Sequence, residues 1–396
     1  MILTMWIARH IVSVVQAYAR EFKIVAIVGP RQSGKTTLAR HAFPDRPYVN
    51  LEELDQRRLA QDDPRGFLDR FGAGAVIDEV QRCPDLLSYL QGHVDASAER
   101  GRFILTGSQH LGMMESITQT LAGRVGTVQL LPFSYAELQD AGRQANTLED
   151  ALFRGGYPPI FDEPRADPLR WLNAYLHTYV ERDVRLTVNI RDLSAFQRFL
   201  SLCAGHAGQL LNTARLGADC GISHGTVRAW LSVLEAGFVV TLLRPHHENF
   251  RKRLVKAPKL YFLDTGLLVR LLQIETPDQL KIHPLRGAVF ENWVLAELLK
   301  SYLNRGQPAQ MYFWRDQAGH EVDLVRDSGS HLDAWECKSG MTYNTEWAES
   351  LDFWRRLAGP RAGRLNLVYG GRKSFAHRDV KVAGWTDVSA TAPEIR

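Results

Sequence analysis

Cysteine is scarce: Cys83, Cys203, Cys220 and Cys337 are the only four in 396 residues, and no two are close in sequence. That excludes a disulfide-built scaffold and leaves no Cys-x-x-Cys pair for zinc or redox exchange. A reduced, cytoplasmic compartment is expected. No apolar run reaches the roughly 18 residues that cross a bilayer as a helix. Residues 1–15 are interrupted by Arg9 and His10, so neither a membrane partner nor a secretory signal is expected. Charge of one sign is also lacking. Lys and Arg number 48 against 44 Asp and Glu, a net +4, which does not by itself identify a nucleic-acid partner. Internal repeats and low-complexity tracts are absent.

What is present is enough chain for two or three domains. Residues 1–165 alternate apolar runs at 24–28, 75–78, 102–106 and 126–130 with helical patterns, for example at 85–99 and 113–121. The alternation predicts an α/β domain with a mainly parallel sheet. A turn-rich segment, Arg154-Gly155-Gly156-Tyr157-Pro158-Pro159, closes it. Residues 166–279 read as a helical and winged-helix domain. Residues 280–396 read in the order α-β-β-β-α-β, with a helix over 288–302, strands near 310–314, 321–325 and 332–337, a helix near 346–357 and a strand at 365–369.

The first domain carries Gly29-Pro30-Arg31-Gln32-Ser33-Gly34-Lys35-Thr36 after an apolar strand and before a helix. This is the G-x-x-x-x-G-K-[ST] pattern of a phosphate-binding loop. Glycines let the backbone curl so that its N–H groups point at phosphates, and the helix N-terminus adds partial positive charge. Lys35 supplies a point charge to the β- and γ-phosphates; Thr36 and Thr37 follow, with Thr36 offering a hydroxyl to Mg²⁺. The strand Ala75-Val76-Ile77-Asp78-Glu79 ends in two acids. Asp78 is placed to hold the metal through water and Glu79 to polarise the attacking water. The strand Phe103-Ile104-Leu105-Thr106-Gly107-Ser108 ends where a γ-phosphate would sit. Thr106 or Ser108 could sense it, or the segment could be an ordinary strand-end turn. Arg124 could reach a neighbouring subunit's nucleotide or remain a solvated arginine.

These phrases, with Asp78-Glu79-Val80-Gln81, Leu105-Thr106-Gly107-Ser108-Gln109, Leu121-Ala122-Gly123-Arg124 and Gly155-Gly156-Tyr157-Pro158, resemble the AAA+ class. More narrowly, nearly the whole chain is similar to a prokaryotic family of AAA-type ATPases with a C-terminal domain of unassigned function, the AAA_14 plus DUF4143 arrangement. The resemblance implies ATP and Mg²⁺ as cofactors, Arg124 as a finger, and assembly into a ring or smaller homo-oligomer. A sensor-2 arginine is not identifiable.

Residues 211–240 read as a winged helix-turn-helix. A helix over 213–220 ends at Gly221, and Ser223 caps a second helix with Val227, Trp230, Leu231 and Leu234 at core spacing. The second helix could present His224, Thr226 and Arg228 to a major groove. Residues 244–259 hold six Lys or Arg, among them Arg251, Lys252, Arg253 and Lys259, against the single acid Glu248. They are expected to form the phosphate-gripping wing, with His246 and His247 as solvated wing residues. A purely structural winged helix is the competing reading.

In the last domain Glu291 lies on the helix, Asp323 on a strand, and Glu336 and Lys338 on one face of the next strand. Carboxylates and a lysine in that layout suit a metal-dependent phosphodiesterase. The order resembles the PD-(D/E)XK nuclease superfamily. The resemblance implies Glu291, Asp323 and Glu336 as metal ligands and Lys338 as the catalytic lysine. Three functions remain open: an ATP-driven DNA-processing enzyme acting on DNA, possibly branched, with metal-dependent cleavage; an ATP-gated DNA-binding switch or scaffold whose nuclease-like domain is inactive; and an ATPase acting on protein partners.

Overall fold

The computed structural model describes residues 6–108, 120–162, 167–178, 192–246 and 255–392. It divides into two compact units. The first takes the chain up to Phe133 with residues 236–238 and 303–307, and the second takes the rest.

The first unit is an α/β layer structure. Its strands are β1 (Ile24–Gly29), β2 (Tyr48–Asn50), β3 (Ala75–Asp78), β4 (Phe103–Ser108) and β5 (Val125–Gln129), in the spatial order β2-β3-β4-β1-β5. Every pairing is parallel. The sequence explains this. Strand β1 reads Ile-Val-Ala-Ile-Val-Gly and is buried at every position, as a strand covered by helices on both faces must be. Because β1 is an interior strand, flanked by β4 and β5, its carboxyl end lies at the edge of the sheet where ligands bind in parallel sheets. The helix expected over 113–121 falls largely outside the described residues. The short strand β2 carries no periodic signal in the sequence.

The second unit starts at Ser134, earlier than the border expected near residue 165. Residues 134–162 fold into short helices whose apolar side chains, among them Tyr135, Leu152 and Tyr157, join a core that continues to Ala392. Apolar helix faces alone do not say which core they enter. The unit holds one eight-stranded mixed sheet. Its strands are β6 (Val240–Pro245), β7 (Lys259–Phe262), β8 (Met311–Arg315), β9 (Glu321–Asp327), β10 (Leu332–Lys338), β11 (Ala362–Tyr369), β12 (Phe375–His377) and β13 (Val380–Gly384), in the order β12-β13-β11-β10-β9-β8-β6-β7. The hairpin β6–β7, read in the sequence as a separate wing, is therefore an edge of this sheet. Arg244 and Pro245 pair in parallel with Tyr312 and Phe313. The border expected at residue 279 thus cuts a continuous sheet and core.

The helix-turn-helix forms with the predicted spacing. Gly221, at φ 70°, ends the helix Thr213–Cys220. The Ser223 hydroxyl accepts the Thr226 N–H at 3.1 Å, and Val227, Trp230, Leu231 and Leu234 of the helix His224–Ala236 are buried. The helix Arg286–Leu303 then precedes β8, β9 and β10, matching the predicted α-β-β-β order.

Candidate functional site: a phosphate loop and a buried carboxylate cluster

The loop between β1 and the helix Lys35–Ala42 is shaped by backbone that side chains resist. A Cβ on Gly29 would lie 2.1 Å from the Leu130 carbonyl oxygen. Gly34 sits at φ 90° and Gln32 at φ 63°, the left-handed region that costs ordinary residues energy. The Lys35 ammonium donates to the carbonyls of Gly29 at 3.1 Å and Pro30 at 2.7 Å, which holds it at the loop. Ser33 is buried, while Arg31 and Thr36 are half-buried and Gln32 and Thr37 exposed. Arg9, 5% exposed, ties the loop to the sheet. It donates to the Ser33 carbonyl at 2.9 Å and the Leu131 carbonyl at 2.7 Å.

Asp78, at the end of β3, is 4% exposed and fully engaged. Its Oδ2 accepts the Thr36 and Tyr48 hydroxyls, each at 2.8 Å. Its Oδ1 accepts the Thr106 hydroxyl and the Glu79 N–H. The γ-phosphate candidate Thr106 brings its hydroxyl to Asp78; Ser108 stands opposite Gly29 in the β1–β4 register, and its side chain lies outside the described residues. Glu79 adopts φ 55° and accepts the Gln81 side-chain amide. Tyr48 gives no signal in the sequence, and burial followed by the Asp78 contact raises its phenol well above the usual range. Arg124 closes a two-pronged ion pair on Asp95 of its own chain, at 2.7 and 2.8 Å.

In the second unit Glu291, Asp323, Glu336 and Lys338 come into one electrostatic neighbourhood. Burial first, and the Asp323 carboxylate second, push Glu291 up to about 7 and Glu336 up to about 8. Burial also raises Asp323, whose Oδ2 accepts the Cys337 N–H at 2.8 Å. Lys338 donates to Glu336 Oε1 at 2.6 Å, and Ser350 to Glu336 Oε2 at 2.8 Å. Unforeseen was Lys259. Read as a wing cation, it is 3% exposed and bridges Glu291, at 3.1 Å, and Glu321, while the Tyr261 hydroxyl also donates to Glu291. Its place in an apolar strand, Lys259–Phe262, was the available signal. Among the described residues no three His, Cys, Asp or Glu side chains converge as a metal site, and Lys259 and Lys338 each pair with one of the carboxylates.

His224 and Arg228 lie exposed on the second helix of the helix-turn-helix, and Thr226 is half-buried with its hydroxyl 2.9 Å from that of Ser223. Arg251, Lys252 and Arg253 lie outside the described residues. His246 is corrected from solvated to buried: it is 6% exposed and its Nε2 lies 3.0 Å from Asp327 Oδ2, because β6 pairs into the sheet.

The AAA domain family matches residues 21–139, a domain of unknown function (DUF8612) residues 145–278, and another (DUF4143) residues 286–388. Two uncharacterized proteins, Mb2031c of Mycobacterium bovis and Rv2008c of Mycobacterium tuberculosis, are each 34% identical over 366 residues. Each match covers 91% of this chain and 79% of the relative. Among solved structures, the Walker-type ATPase PABY2304 of Pyrococcus abyssi has a TM-score of 0.46 and 14% identity, covering 66% of this chain and 94% of that one. A DNA replication initiation factor has a TM-score of 0.27 and 11% identity, covering 54% and 69%.

Proposed function

We propose that this chain, which belongs to the family of these uncharacterized mycobacterial relatives and itself carries the AAA and DUF4143 domains, hydrolyses ATP to act on DNA, with the C-terminal domain as a phosphodiester-cleaving module. The contact of Thr36 with Asp78 at 2.8 Å, beside Lys35 in the glycine loop, carries the ATPase. A hydroxyl and a buried carboxylate brought that close are donors suited to a hard divalent cation. Thr36 and Asp78 would hold Mg²⁺, which when bound offsets phosphate charge. Lys35 leaves the Gly29 and Pro30 carbonyls for the β- and γ-phosphate oxygens. Glu79 orients the attacking water and accepts its proton, which requires Gln81 to yield its hold on that carboxylate. Arg124 can act as a finger only by giving up Asp95.

His224 and Arg228 support DNA contact, being exposed on the helix that follows the Ser223 cap. In the C-terminal domain Glu291, Asp323 and Glu336 offer oxygen donors of the right kind, and Lys338 would orient a water beside the scissile phosphate. The donors are not gathered around a common point, so no cleavage step through a metal is derived.

A second reading has its own observation. Lys259 occupies Glu291 and Lys338 occupies Glu336, as expected of an ATP-gated DNA-binding switch or scaffold that cuts nothing. Labelled single-stranded, duplex and branched DNA, incubated with Mg²⁺ or Mn²⁺ with and without ATP, separates the two. Cutting by the wild type that vanishes in Lys338→Ala, with Lys35→Ala altering its ATP dependence, is the expected result. Intact DNA of every form, from protein that still hydrolyses ATP, rejects cleavage and leaves the switch. ATP turnover indifferent to all DNA would remove DNA from the proposal.

A further inference from the structure

At the turn between β9 and β10 the second unit opens a cleft of about 1210 Å³, whose lining includes Tyr312, Arg326, Asp327, His331, Asp333 and Arg364. Arg326 is only 4% exposed, and its guanidinium carbon lies 4.3 Å from the centre of the Tyr302 ring. Among the described residues it makes no ion pair within 4 Å, and its Nε has no hydrogen-bond acceptor.

The nearby acids are already engaged. Asp327 accepts from His246 at 3.0 Å, from Arg361 at 3.2 Å and from the Gly329 N–H at 2.7 Å. Asp333 stands opposite Arg326 in the strand register, yet its Oδ1 accepts the Arg364 N–H at 2.7 Å. A guanidinium largely taken out of water and held in no ion pair is a costly buried group. Its persistence beside an open cleft indicates a partner that is not part of the chain.

We infer that this cleft is a phosphate-binding subsite, for a phosphate carried either by a mononucleotide or by a nucleic-acid strand. Arg326 presents a planar fork that matches two phosphate oxygens. Arg364, exposed at the rim, adds positive charge. At about 1210 Å³ the cleft has room for a ligand of nucleotide size. The subsite is distinct from the carboxylate cluster. Asp333 pairs with Arg326 and Trp335 with Leu324, so period-two alternation puts Arg326 and Asp333 on the face opposite Asp323 and Glu336. The inference therefore stands whether or not the domain cuts DNA.

The test uses the full chain carrying Lys35→Ala, which disables the first phosphate loop. Inorganic phosphate, AMP and a short oligothymidylate are titrated by calorimetry, with and without Arg326→Met. The expected result is binding that weakens at least about tenfold in Arg326→Met, the loss of one charge-assisted fork. Without ligand, Arg326→Met should melt at a higher temperature, because an unpaired buried charge is gone, while phosphate should raise the melting temperature of the parent only. AMP binding tighter than the oligonucleotide identifies a nucleotide source; tighter, salt-dependent oligonucleotide binding identifies a strand. Should Arg326→Met fail to fold, Arg364→Gln at the rim must weaken the same ligand. Equal affinities in parent and variants, or no binding of any probe, would overturn the inference.

Discussion

Lys259 is one of six cations in a basic run, and composition alone assigns it to solvent and phosphate. Folded, it is a buried counter-charge to Glu291 and Glu321. The acids around it have a consequence for stability. Glu291 and Glu336 titrate near 7 and 8 in the folded chain, above the roughly 4.3 of an unfolded glutamate. A raised folded value means that their stabilising contribution is complete below about pH 4.3 and is lost as pH rises through 7 to 8. The melting temperature of the second unit should therefore fall between pH 6 and 9. In Glu336→Gln the fall should be shallower, as scanning calorimetry can measure. Equal slopes would mean that Glu336 is already ionised at neutral pH.

Among the elements, the turn at Gly155 and Gly156 shows how a motif can be legible without its reason being so. Gly155 sits at φ 67°, and a Cβ there would lie 2.2 Å from Asp264 Oδ1. Asp264 accepts the Gly156 N–H at 2.7 Å and caps the helix Thr265–Leu271 through the Leu267 N–H. The turn thus carries a helix cap from more than a hundred residues away in sequence. Gly155→Ala should destabilise the second unit by about 2–4 kcal/mol, combining left-handed strain with a displaced carboxylate. A urea midpoint within error of wild type would exclude this account. The helix-turn-helix, by contrast, was legible in detail, because its cap, its glycine stop and its core spacing are all local.

At the scale of the molecule, the described residues include no helix long and apolar enough to cross a membrane. The second unit is continuous where the sequence suggests a border. The pairing of β6 with β8 and the core from Tyr135 to Ala392 join residues 166–279 to residues 280–396. A fragment of residues 280–396 would leave the β8 edge and the apolar face of the helix Arg286–Leu303 uncovered. It should express as insoluble or non-cooperatively melting protein, whereas the second unit within the full chain should melt cooperatively. A soluble fragment with a sharp calorimetric transition would restore the border at residue 279.

The phosphate loop, the acid pair at Asp78 and Glu79, the helix-turn-helix and the α-β-β-β order that carries Glu291, Asp323, Glu336 and Lys338 can all be read along the chain. Each is written in local periodicity, in glycine and cap chemistry, or in spacing along one strand. It took the fold to show that Tyr48 and Thr106 hold Asp78, that Lys259 pairs with Glu291, that β6 and β7 belong to the large sheet, and that Arg326 is buried beside a cleft. Those facts depend on contacts between residues far apart in the chain. Charge and hydropathy patterns carry no record of which distant partner a buried polar group meets.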